Sequence, residues 1–184
     1  LGNIIKKKAK EKIGFSNVKF SITGAAPINP DILTLFHKLG VPLFEGYGMT
    51  ETSAGATLGA PGNNRIGSVG RPFPDTELRI ADPDESGNGE IQFKGKHIMA
   101  GYYKNPEATA DTMTEDGWLK SGDLGKIDMD GFVYVTGRLK EIYVSSAGKN
   151  IAPLVIEETM KSIPVVSQCM LIGDNRKYCS ALFT

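Results

Sequence analysis

The sequence predicts an α/β plus β protein: the end of a parallel α/β layer, a small β-barrel subdomain, and the start of an α+β C-terminal section. Three observations predict it. A strand–helix–strand pattern runs from Val18 to Phe44, the signature of parallel pairing. From about Ala60, short apolar runs alternate with turn signals every eight to twelve residues, a β pattern. After Arg138-Leu139-Lys140 the texture changes again to strand, Gly-containing loop, helix and two strands. The expected sections are residues 1–59, 60–137 and 138–184.

Each element has a local reason. Lys6, Lys7, Lys8, Lys10 and Lys12 lie on a basic helix. It reads as a solvated face, with a membrane-surface or CoA-phosphate contact as the alternative. Val18, Phe20 and Ile22 alternate as a strand ending at Gly24. Asn29 as N-cap, Pro30 at the first helical position and Asp31 in the first turn start a helix. Ile32, Leu33, Phe36 and Leu39 give it an apolar face, and Gly40 stops it. Val41–Phe44 is the second strand. In the middle section, Ile66–Val69 and Thr76–Ala81 read as strands, with 82–89 as a turn and Glu90–Lys94 as the returning strand. Asn105-Pro106-Glu107 caps a helix to about Met113. Trp118-Leu119 and Leu124–Ile127 read as two strand pieces, and Asp130-Gly131 turns a hairpin into Phe132–Val135. This section is a small barrel or a curled sheet. Beyond it come a short strand at Ile142–Val144, a helix opening at Pro153, and strands at Val165–Ile172 and Tyr178–Phe183.

Composition removes several classes. With 40% apolar and 23% charged residues the chain is not a disordered tail. No apolar run approaches the roughly 20 residues of a membrane span. Its 21 basic and 21 acidic residues balance to zero, which argues against a nucleic-acid coat protein. Cys169 and Cys179 form no CxxC pair, so reduced thiols in an intracellular protein are expected. His37 and His97 have no partner at a useful spacing, and no Gly-x-Ser-x-Gly or His-Glu-x-x-His occurs. The chain opens on Leu1 and closes on the apolar run Ala181-Leu182-Phe183-Thr184, so an internal piece of a longer protein is expected.

Five segments can carry chemistry. Glu45-Gly46-Tyr47-Gly48-Met49-Thr50-Glu51-Thr52 follows the second strand, where open parallel sheets bind ligands. Its glycines let the chain turn and present Tyr47 to a flat ligand. Thr50 can bond a phosphate oxygen, and Glu51 can hold a hard cation. The alternative is a glycine-rich loop with a packing Tyr and a surface Glu. Gly24-Ala25-Ala26-Pro27 ends the first strand on the same edge; it admits a ligand to the backbone or simply makes a tight turn. Asp123, in Ser121-Gly122-Asp123, can accept both hydroxyls of a ribose diol or only turn amides. Arg138 offers a fork for phosphate or ribose oxygens at a joint that is either a hinge or a plain linker. The loop 145–150 adds a glycine, Gly148, that permits close approach.

Together these segments resemble the adenylate-forming superfamily of acyl-CoA synthetases, luciferases and peptide-synthetase adenylation domains. The matching runs are Thr23–Pro27, Gly46–Glu51, Gly89–Ile91 through Gly101–Thr109, Asp116–Asp123 and Gly131–Glu141. The run Ser146–Pro153 looks most like the long-chain fatty acyl-CoA ligases, including the bubblegum-type branch. The resemblance implies that a carboxylate attacks the α-phosphate of ATP, pyrophosphate leaves, and the thiol of CoA then displaces AMP. It implies that Tyr47 stacks on adenine, Thr50 binds phosphate, Glu51 holds Mg²⁺, Asp123 takes the ribose hydroxyls and Arg138 contacts the nucleotide. Gly24, Ala25 and Ala26 would line adenine and the acyl carboxylate. Lys140 would be the hinge of a mobile C-terminal lid, and Gly148 would border the CoA path. The implied partners are fatty acid, ATP and CoA, with no nucleic acid and with peripheral membrane association of the parent left open; the implied location is the cytoplasm or the cytosolic face of a membrane. The family's phosphate-cradling Ser/Thr/Gly loop and its C-terminal lysine have no match here, so the 184 residues alone are expected to be inactive. Activation of another carboxylic acid, or nucleotide binding without catalysis, are the competing readings.

Overall fold

The computed structural model describes residues 2–146, 150–174 and 176–184. Helix α1 (Gly2–Lys12) exposes Lys6, Lys7, Lys8 and Lys12, with Lys10 half-buried. Strand β1 (Ser21–Thr23) and strand β2 (Leu43–Tyr47) pair in parallel, with Thr23 opposite Glu45. Helix α2 (Pro30–Leu39) connects them. The Asn29 side chain accepts the Asp31 amide at 2.8 Å, and Gly40 closes the helix in the left-handed region at φ 77°. Only Leu33 of α2 is fully buried, while Ile32 is 44% exposed. The expected apolar face is therefore covered only in part.

Strands β3 (Thr57–Leu58) and β4 (Arg71–Pro72) extend the first sheet antiparallel, in the order β1-β2-β3-β4. Residues 66–69 do not form the strand expected there. Gly67 and Gly70 hold φ of 89° and 84°, which breaks an extended run. The segment is instead held by two backbone bonds, from the Val69 amide to the Val133 carbonyl and from the Val133 amide to the Gly70 carbonyl, both at 2.9 Å.

The second sheet holds β5 (Glu77–Ala81), β6 (Gly89–Lys94), β7 (Leu119–Ile127) and β8 (Val133–Arg138), antiparallel in that order. The expected barrel does not close. The outer strands β5 and β8 do not pair with each other, and β8 is met along its free side by the Val69–Gly70 bridge. Helix α3 (Pro106–Thr112) is capped by Asn105, whose side chain accepts the Ala108 amide. The two expected strand pieces around residue 120 are one bulged strand. Ala56, Ile91, Phe93 and Val133, all 0% exposed, form the core, with Tyr47, Val69, Leu78 and Ile80 packed against it. The core thus joins the loop after β2 to the second sheet.

Beyond a 3-10 turn at Leu139–Glu141 come β9 (Tyr143–Val144), β10 (Asn150–Ile151), α4 (Pro153–Lys161), β11 (Cys169–Ile172) and β12 (Ser180–Phe183). β9 pairs with β10 and β11 with β12, both antiparallel. Glu157 of α4 accepts the Leu171 amide at 2.7 Å, tying the helix to β11. No described helix is long and apolar enough to cross a membrane.

Candidate functional site

Parallel pairing puts the carboxyl ends of β1 and β2 on one edge, so the two loops that follow emerge together. Gly24 lies against β2; a Cβ there would sit 2.8 Å from the Gly46 carbonyl oxygen. Ala25 holds φ 66°, a conformation that costs a residue with a side chain about 1 kcal/mol or more. Gly24, Ala25 and Ala26 are all exposed at this edge.

The loop after β2 is tightly wound. A Cβ on Gly48 would sit 2.5 Å from the Ala54 carbonyl oxygen. Thr52, fully buried, accepts the Met49 amide and donates to the Met49 carbonyl, both at 3.0 Å. This leaves Thr50 exposed and Glu51 half-buried. Tyr102 donates its hydroxyl to Glu51 Oε1 at 2.6 Å, and the Met99 amide donates to the Glu51 carbonyl at 2.9 Å. Thr52 and Tyr102 were given no role from sequence: a buried threonine staple and a partner 51 residues away leave no local signal.

Tyr47 donates its hydroxyl to Asp123 Oδ2 at 2.6 Å, across 76 residues of chain. Its ring lies 5.9 Å from that of Phe93. Burial, then the Asp123 carboxylate, push the Tyr47 phenol well above its ordinary range, so it stays a donor. Arg138, opposite Asp123 in the β7/β8 register, brings Nε to 3.2 Å from Oδ1. Three of the expected site residues therefore meet in one cluster. The Asp123 side chain is only 13% exposed, against 64% for Arg138. Each oxygen of Asp123 has one partner, and a carboxylate has about four lone-pair sites, so room remains for a diol. Lys140 follows Arg138 on the exposed 3-10 turn. Gly148 lies outside the described residues.

The loop after β2 offers a cation the Glu51 carboxylate. Among the described residues no group of three or more His, Cys, Asp or Glu side chains could hold a metal. Tyr102 occupies Glu51 Oε1, which leaves Oε2 to face a ligand. One carboxylate oxygen suits Mg²⁺, which keeps waters and takes substrate phosphates as its other ligands. His37 bonds the Leu43 carbonyl through Nε2 at 2.6 Å, a packing contact.

Glu45 is an acid in an apolar strand, and no motif in the sequence gives it a role. It is 9% exposed, and burial raises its carboxyl to about 7, offset in part by the Ile28 amide. Between pH 4.5 and 7 the folded side chain holds a proton that the unfolded one has lost. The native state then binds more protons, so stability falls as pH rises through that window. The loss is on the order of 3 kcal/mol. Urea unfolding of the chain at pH 5 and pH 8 should show it, and Glu45→Gln should remove most of the difference.

The family model described as "AMP-binding enzyme" matches residues 3–103. A long-chain-fatty-acid–CoA ligase, ACSBG2 of Xenopus laevis, is 41% identical over 182 residues, covering 98% of this chain and 25% of that protein. Another, FadD15 of Mycobacterium bovis, is 38% identical over 181 residues, covering 98% of this chain and 29% of that protein. The O-succinylbenzoate coenzyme A synthetase of Bacillus subtilis, solved with ATP and a magnesium ion, superposes with a TM-score of 0.77 at 32% identity. That match covers 88% of this chain and 35% of the solved one. The chain thus spans between a quarter and a third of the length of the curated relatives it matches.

Proposed function

The chain belongs to the AMP-binding enzyme family, and on that premise we propose that it is part of an ATP-dependent long-chain fatty acid–CoA ligase. The observation that carries the proposal is the Tyr47–Asp123–Arg138 cluster, built from two sheets at the edge where the β1 and β2 loops emerge. The identity to ligases named for long-chain fatty acids supports the choice of acid.

The chemistry divides among this chain's residues as follows. Adenine lies on the Tyr47 ring, beside Gly24, Ala25 and Ala26. Asp123 accepts both ribose hydroxyls, and Arg138 holds a nucleotide oxygen while its contact with Asp123 keeps that carboxylate oriented. Thr50 bonds a phosphate oxygen. Glu51, steadied by Tyr102, is the protein's ligand for Mg²⁺, which when bound neutralises phosphate charge. With ATP held in this way, the acid's carboxylate oxygen attacks the α-phosphorus in line and pyrophosphate departs. The CoA sulfur then attacks the acyl carbon and AMP departs. Residues 1–59 and 60–137 supply the nucleotide wall. Residues 138–184 begin a lid that turns about Lys140. The 184 residues alone will form no thioester, because they span so small a share of the relatives' length.

Pyrophosphate exchange into ATP by the full-length protein tests this, with acids from acetate to very long chains. Exchange that peaks with long-chain acids is the expected result. A peak with another acid would keep the adenylation and change the substrate. No exchange from a folded protein that binds ATP would overturn the catalytic reading.

A further inference from the structure

Asp123 stands on a fault in the sheet. Along β6 and β7, Gln92 faces Lys120 and Glu90 faces Leu124. Three residues of β7, Ser121, Gly122 and Asp123, therefore oppose the single residue Ile91. A bulge of this size takes backbone groups out of the ladder, and buried groups need other partners. Side chains provide them. Glu90 Oε1 accepts the Gly122 amide at 3.1 Å. Ser121 donates its hydroxyl to the Ile91 carbonyl at 2.6 Å and accepts the Asp123 amide at 3.0 Å. Gly122 holds φ 73°, the turn that lets the bulge form.

The Glu90 carboxylate is itself held from behind. Gln92, 4% exposed, donates Nε2 to Glu90 Oε2 at 2.9 Å. Arg79 donates Nε to Gln92 Oε1 at 2.9 Å. Arg79 in turn pairs with Asp116 through both terminal nitrogens, at 2.7 and 3.1 Å, and lies 4.4 Å over the Trp118 ring. The chain of contacts runs Trp118/Asp116, Arg79, Gln92, Glu90, Gly122. It ends one residue before the carboxylate that meets Tyr47 and Arg138.

We propose that Glu90 and Ser121 are positioning residues that clamp the β7 bulge and so aim the Asp123 carboxylate at a ribose diol. This rests on the nucleotide role given to Asp123 above. The two side chains share the work. Glu90 fixes the amide before Asp123, and Ser121 fixes the amide of Asp123 and the opposing strand. Neither touches the nucleotide. Their effect is on the angle at which Asp123 presents its oxygens, so it should appear as ribose discrimination and not as a uniform loss of rate.

The test is pyrophosphate exchange by the full-length protein with ATP and with 2′-deoxy-ATP. The reported quantity is the ratio of their kcat/KM values. Wild-type protein should prefer ATP by about 10–100-fold, the factor carried by one hydrogen bond to a charged group. Glu90→Ala should lower that ratio at least about fivefold, toward the value of Asp123→Ala, and should change it little further in the double variant. General loss of stability slows both nucleotides alike and leaves the ratio unmoved. A Glu90→Ala protein that keeps the wild-type ratio would overturn the proposal. If Glu90→Ala does not fold, Ser121→Ala decides in the same way: a lowered ratio supports the clamp, and an unchanged one overturns it. A wild-type protein with no preference for ATP would overturn the ribose role of Asp123 itself, and the clamp with it.

Discussion

Gly70→Ala should destabilise the chain by about 2–6 kcal/mol, a large part of the 5–15 kcal/mol that holds a typical domain. Two costs combine. Gly70 has φ 84°, where a side chain is strained by about 1–3 kcal/mol. The added Cβ would also sit 1.9 Å from the Leu58 carbonyl carbon and 2.1 Å from the Gly59 amide nitrogen. Those are backbone atoms of the β3 strand and the residue after it, so no rotamer change relieves the clash, and overpacking adds about 1–3 kcal/mol. Swinging the loop outward would break the 2.9 Å bond from the Val133 amide to the Gly70 carbonyl, which ties the loop to β8. Gly62→Ala is the control: φ is 73° but no atom lies within 4 Å of its Cβ, so only the backbone strain, about 1 kcal/mol, is expected. Urea unfolding of both variants beside the parent chain measures the difference. Equal midpoints for the two variants would mean that the contact with β3 is not a constraint.

Asp123→Ala should lower acid-dependent pyrophosphate exchange by the full-length protein by about 10²–10⁴-fold. Two charge-assisted bonds to a ribose diol are worth about 1.5–3 kcal/mol each, and 1.4 kcal/mol is a factor of ten. The effect should fall chiefly on ATP affinity, since the ribose is remote from the reacting phosphorus. The same change leaves the Tyr47 hydroxyl, now bonded at 2.6 Å, without its acceptor and releases Arg138 Nε. A stability loss of about 1–3 kcal/mol should accompany it. Asp123→Asn separates the two effects. Its amide oxygen can still accept from Tyr47, while its NH₂ has no lone pair for a hydroxyl. Stability should then recover only in part, because the NH₂ faces Arg138 Nε and cannot accept from it, and exchange should fall by about tenfold or more. Full exchange in the Ala variant would remove Asp123 from the nucleotide site.

Much of the architecture is legible because local chemistry decides it. Asn29, Pro30 and Gly40 begin and end α2 whatever packs on it, since caps and left-handed stops act within one turn. The hairpin at Gly131 (φ 81°) and the turn at Gly87 (φ 77°) are set in the same way. Residues 66–69 looked equally strand-like, but two glycines in left-handed conformation break the run, and two backbone bonds to Val133 hold it. Trp118-Leu119 and Leu124–Ile127 read as separate strands because the bulge between them carries polar and glycine residues, the same composition as a loop. Only the partner strand shows that the chain continues. Barrel closure is likewise invisible locally, because it depends on whether β5 and β8 meet.

The candidate site divides along the same line. Which residue types stand in the loops is legible in consecutive letters: Tyr47, Thr50 and Glu51 after one strand, Asp123 in a Ser-Gly-Asp run, Arg138 at a change of texture. So is the order of motifs on which the family resemblance rests. Tertiary structure alone decided that Tyr47 reaches Asp123 across 76 residues, that Tyr102 holds Glu51, that Glu45 is buried enough to keep a proton near neutrality, and that Glu90 supports the bulge. The physical reason is range. Caps, turns and periodicity act over a few residues and are written in consecutive letters. A hydrogen bond between distant side chains, or the desolvation of a carboxylate, depends on how two sheets pack around Ala56, Ile91, Phe93 and Val133, and no stretch of sequence holds both sides of that contact.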